Sequence, residues 1–262
     1  MEIIGYLASI LIGISLGLIG GGGSILTIPI LVYIFHINPK LATTYSLFIV
    51  GFTAAIGSFK HYKLGNLKFQ SAIPFAIPSL ISIILVRKFL MPIIPETIFS
   101  FGSFLMTKDV FMMLLFSVLM ILASYSMIKS KKEIVEDVKP NVLKVGLIGA
   151  VVGVVTGLLG AGGGFLIIPA LIFFTGLTMK EAIGTSLLII AFNSLFGFLG
   201  DVINGISIDY IFLFSIAFFA LIGIFIGTFL SKKIDGSKLK PAFGWFVLVM
   251  GIYIITKELF FP

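Results

Sequence analysis

The chain has 262 residues, of which 59% are hydrophobic and only 11% charged, with a net charge of +7. A soluble domain of this length needs far more charge on its surface, so the composition excludes one. Cys is absent, which excludes disulfides, thiolate metal sites and cysteine chemistry. Nor does the positive balance point to nucleic acid: Lys and Arg sit in short segments between apolar runs, as cytoplasmic loops of membrane proteins require. Several charge-free runs exceed the roughly 18–20 residues that cross a bilayer as a helix. They are apolar throughout, not alternating, which excludes a β-barrel in practice. The expectation is an all-α polytopic protein of the cell membrane (inner or plasma).

Met1-Glu2 carries no basic leader and the first apolar run is too long for a signal-peptide core, so no cleavable signal is expected. That run, Ile3 to Phe35, is interrupted by Gly20-Gly21-Gly22-Gly23-Ser24 and contains Pro29. Candidate spans follow at Leu41–Phe59, Phe69–Val86 and Val110–Ile128, then a charge-dense linker, Lys129 to Pro140. A second broken run, Val142 to Thr175, holds Gly160-Ala161-Gly162-Gly163-Gly164 and Pro169. Ala182–Gly200, Tyr210–Leu230 and Pro241–Ile255 complete the candidate spans.

The order of features suggests a repeat, and an offset of 140 residues aligns it. Gly13, Gly17, Gly20, Gly22, Gly23 and Pro29 meet Gly153, Gly157, Gly160, Gly162, Gly163 and Pro169. Without a gap, Lys40, Ala42, Ser46, Gly57 and Gly65 meet Lys180, Ala182, Ser186, Gly197 and Gly205. Apolar composition alone does not place a Gly cluster, a Pro and a Ser in one register. The expected organisation is a first repeat at 1–128, a cytoplasmic linker at 129–140 and a second repeat at 141–262. Between Phe89 and Lys108 the first half has extra residues, including Pro92, Pro95 and Glu96, which read as an interfacial or short re-entrant piece.

Equivalent loops differ in charge. Lys60-His61-Tyr62-Lys63 through Lys68 is basic, whereas Asp201 to Asp209 has two acids and no Lys or Arg. The positive-inside rule places the first in the cytoplasm and the second outside, which makes the repeats inverted. Inversion needs an odd number of crossings per half. Each half is therefore expected to hold a Gly-broken re-entrant helical hairpin plus three transmembrane helices, with both termini outside. Arg87 and Lys88 then lie outside and count against this topology unless they snorkel to the interface.

Five small residues inside an apolar run destabilise a helix, since Gly costs about 1 kcal/mol against Ala there. Irregular backbone in hydrocarbon is tolerated only when buried in protein or lining a wet cavity. The helix that starts after each cluster presents free N–H groups and the positive end of its dipole. Two such ends near the midplane make an anion site from backbone. The competing reading is close packing through small residues, which Gly13, Gly17, Gly153 and Gly157 fit well. A phosphate-binding loop is a poor match, because no Lys-Ser or Lys-Thr follows either cluster.

Gly17-Leu18-Ile19-Gly20-Gly21-Gly22-Gly23 with Pro29, and Gly157-Leu158-Leu159-Gly160-Ala161-Gly162-Gly163-Gly164 with Pro169, resemble the paired signature of the TauE/SafE sulfite exporter family. Gly184-Thr185-Ser186-Leu187 with Asn193-Ser194 and Gly197 resembles it too, as does Thr44-Tyr45-Ser46-Leu47 with Gly57, His61 and Gly65-Asn66. The resemblance covers nearly the whole chain. Tyr45, where the family often has Thr, and Asp201, opposite His61 in the repeat, are departures. The resemblance implies export of sulfite or an organosulfonate such as sulfoacetate.

Polar groups within spans are expensive and tend to be functional. The substrate-binding candidates are Gly20, Gly21, Gly22, Gly23, Ser24, Ser46, Gly160, Ala161, Gly162, Gly163, Gly164, Thr185, Ser186 and Asn193. Ser and Thr hydroxyls can bond their own helix backbone; an amide cannot satisfy its four sites that way. No acid or base lies deep in the predicted spans, so a carboxylate relay is not expected. His61, at a span end, is the candidate for proton coupling, against the plainer reading of an interfacial His beside Lys60 and Lys63. No catalytic residue, metal site or cofactor is expected: HExxH and paired-Asp patterns are missing from the spans. The expected partners are a small anionic substrate and the lipid bilayer, with no nucleic acid; the oligomeric state is open, a homodimer being one option. The leading function is a secondary transporter working by alternating access. A passive anion channel on the same scaffold is the alternative.

Overall fold

The computed structural model describes residues 2–101, 104–129, 141–159 and 164–260, and the chain is mostly helical. α1 (Glu2–Ile19) and α2 (Gly22–Pro29) are separated by two residues. Gly20 holds φ +76°, a left-handed conformation that glycine adopts at little cost. α2 runs into a π-helical turn, Ile30–Ile34, and this arm folds back along α1: Gly22 packs on Ser15, Gly23 on Leu16, and the Phe35 ring lies against Gly5. α1 and α2 are thus the arms of a helical hairpin.

α3 (Pro39–Lys63) starts on the Asn38 side chain, which accepts from the Lys40 N–H at 2.9 Å. α4 (Phe69–Leu85) ends in a π-helical turn, Val86–Leu90. The segment between Phe89 and Lys108 holds a two-stranded antiparallel hairpin, β1 (Thr97–Phe101) and β2 (Phe104–Thr107). Lys108 ties its base to the preceding turn by donating to the Met91 carbonyl. α5 (Lys108–Lys129) follows. The linker residues 130–140 lie outside the described residues. Then come α6 (Val142–Leu159), α7 (Gly164–Thr175), α8 (Met179–Ile203), α9 (Tyr210–Lys233) and α10 (Gly236–Phe260). Six helices among the described residues are long and apolar enough to cross a membrane: α3, α4 with its π turn, α5, α8, α9 and α10. They overrun the apolar runs read from sequence, because a helix continues through polar residues at its ends until a cap or Gly stops it.

Local geometry recurs at the 140-residue offset. α1 and α6 have bounds differing by 140 at both ends, as do α3 and α8. Left-handed residues recur at Gly65 and Gly205, and at His36 and Gly176. The α3 cap Asn38 has its counterpart in Thr178, which with Glu181 forms a capping box on α8.

Packing crosses between the halves. α3 lies antiparallel to α8: Thr44 reaches Asp201, Leu47 packs on Gly197, Gly51 on Ser194 and Leu195, Gly57 on Leu187, and His61 on Gly184. α5 and α10 are antiparallel as well, with Gly244 on Ile128 and Gly251 on Ile121. α1 runs parallel to α9, and α4 parallel to α6. Glycines make these crossings close. Gly13 and Gly17 sit on the backbone of Ala220, Ile224 and Thr228, while Gly149 and Gly153 sit on the backbone of Phe75 and Ser79. Van der Waals contact of bare backbone is what holds such helices together in lipid, where burial alone supplies little.

Candidate functional site

α3 and α8 are the most buried of the six spans, with 67% and 72% of their apolar stretches inside the protein. Nearly every intramembrane polar residue singled out from the sequence lies on this pair. Thr185 accepts a bond from the Lys68 N–H at 3.1 Å. Tyr45, its repeat counterpart, accepts from the Asp209 N–H at 2.9 Å. The Tyr-for-Thr departure therefore keeps the role of tying the loop after the opposite helix, with a longer side chain. Thr53 is satisfied within its own helix, donating to the Ile49 carbonyl at 2.6 Å.

Other groups are not satisfied. The hydroxyls of Ser15, Ser46, Ser194 and Thr228, Oδ1 of Asn193 and both ring nitrogens of His61 are buried without a hydrogen-bond partner. Asn193 Nδ2 donates to Ser79 Oγ of α4 at 2.6 Å. A buried polar group left unpaired costs about 1–3 kcal/mol. Such groups cluster where a fold keeps polar capacity for something else to use.

The first Gly break joins this pair directly. A Cβ placed on Gly20 would lie 2.8 Å from Ser186 Oγ and 3.0 Å from the Ile183 Cα, so backbone and hydroxyl face each other. Ser186 itself donates to the Ile183 carbonyl at 2.9 Å. Gly21 caps α2 without a side-chain bond. Gly22 and Gly23 face α1, their partner in the hairpin: Gly22 lies on Ser15 and Gly23 on Leu16. Ser24 lies in the first turn of α2, and Gly164 opens α7 and is buried. Gly160, Ala161, Gly162 and Gly163 lie outside the described residues.

Ser46 and Ser186 do not meet. Ser186 is level with Gly57 and His61 of α3, whereas Ser46 is level with Gly197 of α8. The separation along α3 is about a dozen residues, or roughly 18 Å at 1.5 Å per residue. At that separation one small anion does not reach both hydroxyls at once. Antiparallel packing puts repeat equivalents at opposite levels except near the crossing, where Gly51 meets Ser194 and Leu195.

A charged cluster escaped the sequence reading. Arg87 Nη1 donates to Asp201 Oδ2 at 2.6 Å, and Thr44 Oγ1 donates to the same oxygen at 2.8 Å. The side chains are 16% and 12% exposed. Arg87 thus turns inward to a partner instead of snorkelling outward, and α8 carries an acid further in than the apolar run Ala182–Gly200 suggested. The signal was present: Asp201 stands where the other half has His61, and Arg87 was one of the two charges, with Lys88, that counted against the expected topology. At the opposite level, Lys68 pairs with Glu181 at 2.9 Å. Among the described residues, no three His, Cys, Asp or Glu side chains gather as metal ligands.

The profile of the family described as sulfite exporter TauE/SafE matches residues 5–254. A protein of Xylella fastidiosa (strain Temecula1) named probable membrane transporter protein is 30% identical over 261 residues, covering 95% of this chain and 92% of that one. A probable membrane transporter protein of Bacillus subtilis (strain 168) is 25% identical over 249 residues, covering 95% and 98%. One from Methanocaldococcus jannaschii is 30% identical over 196 residues, covering 71% and 67%. No solved structure matches the chain. With a match over nearly the whole length and the doubled Gly signature in register, this chain belongs to the TauE/SafE sulfite exporter family.

Proposed function

We propose that the protein is a secondary transporter of the cell membrane that exports a small sulfur oxyanion, sulfite or an organosulfonate such as sulfoacetate, by alternating access. In this reading residues 1–128 and 141–262 are inverted repeats joined by a cytoplasmic linker, 129–140, and the α1–α2 hairpin is re-entrant. The antiparallel packing of α3 on α8 supports the inversion, since that pair is related by the 140-residue offset, and α5 and α10, the last helices of the two halves, are antiparallel as well. The fold-back of α2 on α1 supports the re-entrant hairpin, as the eight-residue α2 with its π turn is too short to cross a bilayer.

The observation that carries the proposal is the set of buried, unpartnered hydroxyls of Ser46 on α3, Ser194 on α8 and Ser15 on the α1 arm of the hairpin. A hydroxyl can donate to an oxyanion without fixing its charge in the membrane, so a multiply oxygenated anion can be held and released. The Gly20 break faces Ser186, and Ser46 is the repeat counterpart of Ser186. The anion then has two related stations, one nearer each membrane face, and rocking of one repeat on the other exposes them in turn.

Proteoliposomes loaded with labelled sulfite, sulfoacetate, taurine, thiosulfate or sulfate test this. Wild type is expected to exchange at least one sulfur oxyanion. Ser46→Ala and Ser194→Ala are expected to lower that flux roughly tenfold or more, since a hydrogen bond to a charged group contributes about 1.5–3 kcal/mol. Both variants should keep their melting temperature, as the lost hydroxyls have no partner in the protein. Unchanged flux in both would remove the hydroxyl set as the site. Single-channel current without exchange would make the protein a channel.

A further inference from the structure

At the ends of α3 and α9 lies a pocket of about 470 Å³, lined by Lys60, Lys63, Lys232, Thr228, Phe225 and Phe229 among others. None of its three lysines is in a salt bridge among the described residues. Lys60 instead lies 3.6 Å above the Phe225 ring, and Lys63 lies 4.6 Å from the centre of Phe59. The acid of the following loop, Asp235, is engaged elsewhere: its carboxylate accepts from the Ser237 N–H. Thr228 is 2% exposed and its Oγ1 has no hydrogen-bond partner. Three lysines and a free hydroxyl line one recess, with no acid among its described lining residues.

One wall of that recess is apolar and continues along α9. Phe218, Ile222, Phe225, Ile226 and Phe229 are 61%, 38%, 46%, 42% and 57% exposed, at successive helical turns. This stripe is lipid-facing surface that ends at the lysines. We propose that the pocket binds the phosphate headgroup of an anionic phospholipid in the cytoplasmic leaflet. The lysines neutralise the phosphodiester, Thr228 Oγ1 donates to one of its oxygens, and an acyl chain lies on the α9 stripe. A soluble inorganic anion would use the lysines but gain nothing from the stripe. Because α9 packs on α1 through Gly223 and Gly227, the bound lipid would brace the wall against which the α1–α2 hairpin rests.

The test uses the purified full chain in neutral detergent, titrated with short-chain phosphatidylglycerol, short-chain phosphatidylcholine, inorganic phosphate and sulfate. Binding is read by the shift in melting temperature and by native mass spectrometry. Phosphatidylglycerol is expected to bind and stabilise, phosphatidylcholine and the inorganic anions far less. Each lysine near a membrane surface contributes on the order of fivefold, so combined Lys60→Gln, Lys63→Gln and Lys232→Gln should weaken binding by on the order of a hundredfold. Thr228→Val should weaken it alone without unfolding the chain, and Lys40→Gln, on an exposed helix start, should leave it unchanged. Equal binding of the two phospholipids, or full binding by the triple variant, would overturn the proposal. So would inorganic phosphate or sulfate stabilising the protein as strongly as phosphatidylglycerol, which would make the pocket an open vestibule for anions.

Discussion

His36 holds φ +54°, a conformation that side chains with a Cβ enter at a cost of roughly 1–2 kcal/mol, and its repeat counterpart Gly176 holds φ +68°. His36→Gly should therefore stabilise the protein by roughly 0.5 kcal/mol, after the entropy that glycine adds to the unfolded chain is subtracted. Gly176→Ala should destabilise by about 1 kcal/mol. Thermal unfolding in detergent measures both, and a drop in melting temperature for His36→Gly would contradict the argument. The Arg87–Asp201–Thr44 cluster makes a second residue-scale prediction. Asp201→Ala leaves Arg87 half-buried without its partner and should cost about 3 kcal/mol. Thr44→Val removes one hydroxyl bond and should cost about 1 kcal/mol. The double change Arg87→Met with Asp201→Leu should recover much of the loss, because no uncompensated charge remains.

Glycine acts differently in different elements. In the α1–α9 and α4–α6 crossings it lets backbones touch, and Gly13→Val would push side-chain carbons into the Ala220 carbonyl. That substitution should destabilise by about 1–3 kcal/mol through overpacking, and Gly153→Val should do the same against Ser79. Gly65→Ala and Gly205→Ala test another property, since no atom lies within 4 Å of their built Cβ yet φ is +75° and +82°. Their expected cost, about 1 kcal/mol each, is conformational alone. If Gly13→Val and Gly65→Ala lowered the melting temperature equally, the close-packing role of Gly13 would be refuted. Substitution of Gly22 is a poor probe of the anion site, because a Cβ there meets Ser15 of the same hairpin.

For the whole molecule, the proposed inversion has a direct measure. The chain has no Cys, so single cysteines at Lys63 and Ser207 report without background. In sealed cells a membrane-impermeant maleimide should label them from opposite faces, Ser207→Cys from outside and Lys63→Cys only after permeabilisation. Labelling of both from one face would dismantle the inverted arrangement and the alternating-access reading with it.

The linear sequence determined the class and the repeat. Apolar run length, sparse charge and the recurrence of glycines, Pro and Ser at one offset depend only on local composition and register, and the helix bounds and left-handed residues of the structure keep that register. The small residues at Gly13, Gly17 and Gly153 were legible as packing devices for the same reason. Tertiary structure decided which equivalents meet. Antiparallel packing of α3 on α8 set Ser46 and Ser186 roughly 18 Å apart and brought Thr44 to Asp201, and docking of the α1–α2 hairpin on α8 brought Gly20 to Ser186. It also carried Arg87, on the π-helical turn after α4, to an acid 114 residues away. Contacts at such separation leave no periodicity in the chain. They follow from which helix faces close on one another, and in lipid that is settled by backbone approach at glycines and by partners for buried polar groups.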